Sequence, residues 1–400
     1  MNKYKLTKFF LYLFITLSIT NTIEWLYVVK IISQYGKIIV VSIGTMFFIF
    51  FAIKDKVLKL SNLIYLTLFL SLLLIFAMIF LYDNNISFYD CYFKTLMYTI
   101  YIIYIFLTVN NLMLYYSRYF SASYAKELTL IDIAKIFQKV ILLNIVIWTS
   151  VAIMLHQSLY DIDPTGNRSG FAAFTGDRMA FGLILATLYL STFILLLKEQ
   201  NIFNKIIFLL SFLLTIYSDA RTALLIEVIF IIMFFAYKKI KYLEFYILIL
   251  FLFLIYIIVN YLDITDLEQY SSGRVFIWLI VLKEKVNDFW YGDGLFNFNN
   301  YILLKYRYLS YYFQRIDYLN FHSSYIEIFA AGGIIALFFY IMFLYKTYIK
   351  ANRLNKSIIF AISLGAFLEG YITQPAIVIS SFFWIILMLS NINNNVKCIK

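Results

Sequence analysis

The chain is built from apolar runs of about 14–24 residues separated by short polar stretches, and that run length constrains its fold more than any other feature. At 1.5 Å of rise per residue such a run spans the roughly 30 Å hydrocarbon core of a bilayer. Within lipid, backbone N–H and C=O groups find no outside partners, so a spanning segment of this kind must be a helix. A membrane barrel would need ten-residue segments of alternating polarity, and these are absent. With 63% hydrophobic and 14% charged residues, the chain also exceeds what a soluble domain could bury, since those run nearer 45–50% and 25%.

Hydropathy places about twelve transmembrane helices, at residues 9–29, 38–53, 59–82, 93–116, 140–155, 179–197, 205–218, 222–237, 244–262, 323–345, 357–373 and 376–390. Alternate loops share a sign. Lys54, Lys56 and Lys59, then Arg118, Lys126, Lys135 and Lys139, then Lys198 and Lys205 lie on one side with the N-terminus. Lys238, Lys239 and Lys241, then Lys346, Lys350, Arg353 and Lys356, with Lys397 and Lys400, continue the series. The positive-inside rule makes that side cytoplasmic, with both termini there. The opposite loops carry Asp83 and Asp90, Asp161, Asp163 and Asp177, and Asp263, Asp266 and Glu268. The expected class is therefore all-α and polytopic, one integral membrane domain over residues 1–400, with no internal repeat.

The net charge of +11 follows from lysine in cytoplasmic loops. No basic face with interleaved aromatics accompanies it, so a nucleic-acid partner is not expected. Lys3, Lys5 and Lys8 before the first apolar run resemble a signal-peptide start, but no small-residue cleavage site follows, which makes it a retained helix. Cys91 and Cys398 fall on opposite sides and cannot pair. No HExxH, Walker or GxGxxG pattern occurs, so metal-hydrolase, ATPase and dinucleotide readings lack support.

Two long extracytoplasmic loops stand out, at about 156–178 and 263–322, the second between helices 9 and 10. Loops this long usually carry function or are disordered. The second keeps apolar spacing in Val275, Phe276, Trp278, Leu279, Val281 and Leu282, which predicts an amphipathic helix at the membrane surface. His156 and His322 both fall at extracytoplasmic helix ends, and Arg168, Arg178, Arg221 and Arg274 lie on the same side, where cations are disfavoured. Guanidinium groups hold phosphate bidentately and keep their charge when poorly hydrated, so Arg178, Arg221 and Arg274 form a candidate diphosphate site. Each alone could equally snorkel to headgroups or pair with Asp177 or Asp219. His322 could take a proton from an acceptor hydroxyl or only position it. Glu24, Glu227, Glu327 and Glu369 are carboxylates within or near helices, and Glu327 stands out at five residues past His322. Gly332–Gly333 reads as a packing feature and Gly292–Asp293–Gly294 as a turn.

In order along the chain come Asp177-Arg178-x-x-Phe181-Gly182, the turn Ser218-x-x-Arg221-Thr222, Gly273-Arg274-x-x-x-Trp278, and Tyr291-Gly292-Asp293-Gly294. His322 then opens a helix, with Glu327 and Gly332 following. Over residues 174–345 this series resembles the O-antigen ligase and polymerase superfamily of bacterial envelope glycosyltransferases. Ser323 departs from the pattern, since family members commonly carry Asn there.

The resemblance implies a GT-C-like fold in the inner membrane and an inverting, metal-independent glycosyl transfer at its outer face, with no cofactor. The donor would be an oligosaccharide on undecaprenyl diphosphate. Arg221 and Arg274, with Arg178, would hold the diphosphate, and His322 would activate or orient the acceptor. Asp177, Trp278, Ser323 and Glu327 are expected to line the substrate site. Polymerase and ligase differ in the acceptor, a second lipid-linked repeat unit or lipid A–core. Abundant Ile, Asn and Lys suggest an AT-rich gene of the kind found in polysaccharide clusters, which favours the polymerase, with a chain-length regulator as a candidate partner. A flippase or transporter of lipid-linked sugars is the alternative of a different class, marked by repeats and helices broken at mid-membrane.

Overall fold

A computed structural model of the chain describes residues 3–54, 63–84, 92–162, 169–261 apart from 238 and 241, 274–306 apart from 287 and 296, and 321–392 apart from 375. The expectations that rest on Cys91, Asp163, Arg168, Gly273 and Cys398 lie outside these residues. The described segments form helices α1 (Lys3–Thr20), α2 (Tyr27–Lys54), α3 (Leu63–Asn84), α4 (Lys94–Ser117), α5 (Ala122–Met154), α6 (Arg178–Leu196), α7 (Ile202–Tyr217) and α8 (Arg221–Ala236). After them come α9 (Leu243–Tyr261), α10 (Arg274–Glu284), α11 (Asn297–Tyr306), α12 (Ser324–Lys350), α13 (Arg353–Gly365) and α14 (Val378–Asn391). A short antiparallel hairpin pairs β1 (Tyr160–Ile162) with β2 (Ser169–Phe171).

Among the described residues, five helices are long and apolar enough to cross a membrane: α2, α4, α5, α6 and α12. Burial is inverted relative to a water-soluble fold. On α7, Ile206, Leu209, Leu213 and Ile216 are exposed, whereas Asn204, Ser211 and Thr215 are buried. On α2, Ile32, Ile39, Ile43, Met46 and Phe50 form an exposed stripe at helical spacing, and Ser33, Lys37 and Gly44 face inward. The outward stripes have lipid as their natural solvent, and the inward polar groups bond across helices. Thus Gln138 of α5 donates to Asn204 of α7 at 3.0 Å and to Thr192 of α6 at 3.2 Å. This is an all-α membrane-embedded architecture.

One apolar cluster runs from Phe10 through to Ile392. At its centre α14 is buried along its whole length. Around it α6 packs against α5, α7 and α8, α8 against α13, and α12 against α3. A smaller cluster joins Ile277 and Val281 of α10, Phe298 and Ile302 of α11, Phe321, and Ala330 of α12.

Several boundaries differ from the sequence expectation. The first helix stops at Thr20 rather than near 29, because residues 21–26 turn to dock elsewhere: Trp25 donates to the Phe174 carbonyl at 2.7 Å and Glu24 N–H to Thr175 at 3.2 Å. The helix expected at 140–155 begins at Ala122, its polar first half held by Asp132, which accepts from Tyr116 at 2.6 Å and Lys8 at 2.9 Å. The helix expected over 357–373 ends at Gly365, and the segment that follows carries Gly370 and Pro375. Within residues 263–322, expected as loop, the described part contains two helices, of which α10 covers Val275–Leu282; Ile277, Ile280 and Val281 are buried and Leu279 and Leu282 are exposed, so it is apolar on both faces rather than amphipathic.

The helix expected at 323–345 runs from Ser324 to Lys350 but is broken at Gly333, whose φ is 64° and ψ −173°. The carbonyls freed at the break accept from Asp293 N–H (Ala330, 3.1 Å) and Gly294 N–H (Ala331, 2.9 Å), and Ile334 N–H donates to Phe289 at 3.0 Å. A Cβ on Gly292 would meet the Ala331 carbonyl at 2.1 Å, and one on Gly333 the Trp290 oxygen at 2.2 Å. The two glycine motifs are therefore halves of one joint, in which protein backbone replaces the bonds that lipid could not offer.

Candidate functional site

Three arginines singled out by the sequence share a placement that local physics disfavours. Arg178, Arg221 and Arg274 are the first residues of α6, α8 and α10. A helix N-terminus carries roughly half a positive charge, so a cation there costs where an anion would gain, by ~0.3–1 kcal/mol at exposed sites. Each is offset by acids. Arg178 is buried, with Nη1 at 3.1 Å from Asp219 and Nε at 3.9 Å from Asp161, and its backbone N–H donates to Asp161 at 3.3 Å. Asp219, which has a left-handed backbone (φ 52°), is shared with Arg221 Nε at 3.7 Å. The Arg221 side chain is 61% exposed, against 11% for Arg178, and is the arginine most open to a ligand.

The glycines around this node explain the motif. Gly182 sits where a Cβ would meet Ala220 at 2.1 Å, which lets α6 and the turn before α8 approach. Gly170 lies against the Ser218 carbonyl, where a Cβ would come within 2.2 Å, so the hairpin presses Asp161 towards Arg178. Asp177 caps α6 by accepting from Met179 N–H at 2.8 Å. Burial pushes its carboxyl up to about 6, against the pull of the Met179 bond and with the carboxylates of Glu24, Asp161 and Glu369 adding to the rise.

Glu369 belongs to the second node. Its Oε1 lies 2.5 Å from Arg274 Nη2, and its Oε2 lies 3.4 Å from His322 Nδ1. Arg274 Nη1 also donates to the Leu368 carbonyl at 2.6 Å. Burial would raise the Glu369 carboxyl, but Arg274 and His322 outweigh it and hold the group below its ordinary value. One turn along α10 from Arg274, Trp278 donates to the Phe321 carbonyl at 2.6 Å. One face of α10 thus grips the segment behind Glu369 with its arginine and the segment entering α12 with its tryptophan. His322, with a left-handed backbone at φ 50°, is held where those two segments meet. Ser324 fastens them: its Oγ donates to the Glu369 carbonyl at 2.9 Å and accepts from Ile372 N–H at 3.0 Å. Glu369 also adds to the rise at Asp177, so the two nodes lie within electrostatic reach of each other.

The structure brings together Arg274, Trp278 and His322, and separately Arg178, Arg221 and Asp177. Two expected substrate contacts are placed otherwise. Ser323 is buried and its hydroxyl accepts from Ile326 N–H at 3.5 Å, the bond of a helix cap. Glu327 is buried and bonded to the Thr373 hydroxyl, tying α12 to the segment between α13 and α14 instead of joining His322. Nothing in the sequence singles out Asp161 or Asp219 as a site residue, and Glu369 stands there only as one of four carboxylates within or near helices, candidates as a class. A signal for it exists, since it is the single acidic residue after Glu327.

No protein-family model matches the chain, and no curated protein matches it either.

Proposed function

We propose that the chain is a surface-polysaccharide polymerase of the inner membrane, with about twelve spans and a GT-C-like fold. It transfers a glycan from undecaprenyl diphosphate to a second lipid-linked repeat unit at the outer face, without metal or cofactor. The observation that carries this reading is the placement of Arg178, Arg221 and Arg274, each on the positive end of a helix at one end of the bundle. A dianionic diphosphate would gain from both the guanidiniums and the helix ends.

In the reaction, the acceptor hydroxyl oxygen attacks the anomeric carbon as the bond to the diphosphate oxygen breaks, with inversion. Arg221 and Arg274, assisted by Arg178, offset the charge gathering on the leaving diphosphate. With Nδ1 turned to Glu369, His322 would meet the acceptor hydroxyl through Nε2 and take its proton, and Glu369 would steady the imidazolium that forms. Asp177, on the cap of α6, lies beside the arginines and lines the site.

A ligase would use the same groups with lipid A–core as acceptor. The break at Gly333 is the observation that favours a transporter, but the freed backbone groups are taken up by residues 289–294 rather than lining a cavity. The deciding experiment uses purified protein with one undecaprenyl-diphosphate-linked repeat unit. A ladder of longer lipid-linked glycans is expected. Transfer only on adding lipid A–core makes it a ligase, and silence in both with folded protein removes the glycosyl-transfer reading.

A further inference from the structure

The helix that carries Arg274 presents two faces to two surroundings. Arg274, Trp278, Val281 and Lys285 follow one another at helical spacing, and of these Val281 and Lys285 are buried. Leu279, Leu282 and Val286 lie on another face of α10 and its extension, and are 61%, 46% and 67% exposed. The chain then continues into Phe289, Trp290 and Tyr291, three consecutive aromatic rings that are exposed as well. With 11 residues, α10 is too short to cross a bilayer, which takes about 20. An apolar surface of this extent marks a place where something docks.

Continuity and depth identify the partner. Tyr291 packs on Phe76 of α3, ring centroids 5.8 Å apart, and Phe289 packs on Phe329 of α12 at 5.5 Å. Beside Phe76, Ile75, Met78 and Ile79 of α3 are exposed, so the aromatic trio extends a wall that already faces lipid. Two helices measure its depth. From Gly333, which abuts the Trp290 carbonyl, α12 runs down to Lys346 and Lys350, roughly 20–25 Å at 1.5 Å per residue. From Ala77, which abuts Gly294, α3 runs up to Asn84, roughly 10 Å. In a hydrocarbon core of roughly 30 Å the trio therefore lies just inside the outer boundary, the level at which Trp and Tyr gather. Lys283, exposed on the outward side of α10, can lay its stem along that surface and keep its ammonium among the headgroups.

We propose that the outward face of α10 and the Phe289–Trp290–Tyr291 segment are seated in the acyl chains of the outer leaflet. A lipid surface is thus the partner that holds α10 against α12, and with it Arg274 and Trp278. The proposal concerns what covers this helix and does not rest on the glycosyl-transfer reading.

The test is quenching of tryptophan emission from the full chain in phosphatidylcholine vesicles, by lipid brominated on its acyl chains or by iodide in the water. Of the five tryptophans, Trp290 is the exposed one. Trp290→Phe keeps an aromatic ring and reports the Trp290 share by difference. That share should be the largest part of the bromine-quenched emission and should be insensitive to iodide. Leu279→Trp in the same background should restore the bromine-quenched component. Quenching of Trp290 by iodide instead of bromine would mean that water covers the face; quenching by neither would mean that protein does, a second copy included. Both outcomes overturn the proposal. Should Trp290→Phe fail to reconstitute, Leu279→Trp alone decides, since its added emission must be bromine-quenched if the face lies in lipid.

Discussion

Glu369 sits between a guanidinium and an imidazole, its side chain only 11% exposed, so each partner depends on it. Removing one member of a buried ion pair leaves the other uncompensated. Glu369→Ala should therefore cost about 3 kcal/mol or more of stability and abolish product, read by melting and by the ladder assay. Retention of both would show that Arg274, Glu369 and His322 do not act as a unit. Arg221 offers the opposite case. With a side chain 61% exposed, Arg221→Ala should leave stability within about 0.5 kcal/mol while eliminating transfer, and near-full activity would remove it from the diphosphate site. Asp177 adds a pH signature. Its carboxyl rises from 3.8 to about 6 in the fold, so its neutral form is favoured; that contribution is complete below pH 4 and is lost as pH rises through 6. Asp177→Asn should flatten the fall in melting temperature between pH 4 and 7, and an unchanged slope would contradict the assignment. At this scale the arginines and His322 were legible, because cations on the wrong side of a membrane stand out. Glu369 was legible only as one of four candidate carboxylates within or near helices; its pairing with Arg274 and His322 was not, because those partners lie far away in sequence.

At the scale of elements, α10 and α12 set the site. Trp278→Phe removes one hydrogen bond to the Phe321 carbonyl, worth about 1 kcal/mol. It should slow transfer through the placement of His322 while leaving binding of a lipid diphosphate intact; equal loss of both would mean α10 itself has collapsed. Gly333 is more demanding. Its φ of 64° with ψ of −173° is a conformation that essentially only glycine adopts, and a Cβ there meets the Trp290 oxygen at 2.2 Å. Gly333→Ala should destabilise by about 3 kcal/mol, checked by melting in detergent; a neutral outcome would mean the helix can run straight. Apolar length alone was enough to find α6 and α9 to within a residue or so. It misplaced the end of α1, because Ile23, Trp25 and Leu26 prolong the apolar run while their backbone turns to meet Phe174 and Thr175. It also could not show that Gly292 and Gly333 complete each other, since that pairing is tertiary.

For the whole molecule, the inversion of polar and apolar faces makes a claim about solvent. Ile39 is 55% exposed on α2. In water, Ile39→Lys would be close to neutral, but near the middle of a span a lysine costs about 2.5–3.5 kcal/mol. Reduced insertion, read as a lower yield of membrane-extractable protein, is expected; an unaffected yield would mean that face does not meet lipid. The joint at Gly333 also bears on biogenesis. Residues 289–294 leave the ribosome before α12 does, at roughly 5–20 residues per second. Until α12 arrives, the N–H groups of Asp293 and Gly294 lack the carbonyls they bond in the finished protein, and α12 cannot enter lipid with Ala330 and Ala331 unmatched. The two must be threaded together, so the break in α12 fixes an order of assembly in which the α10–α11 segment waits at the bilayer for its partner helix.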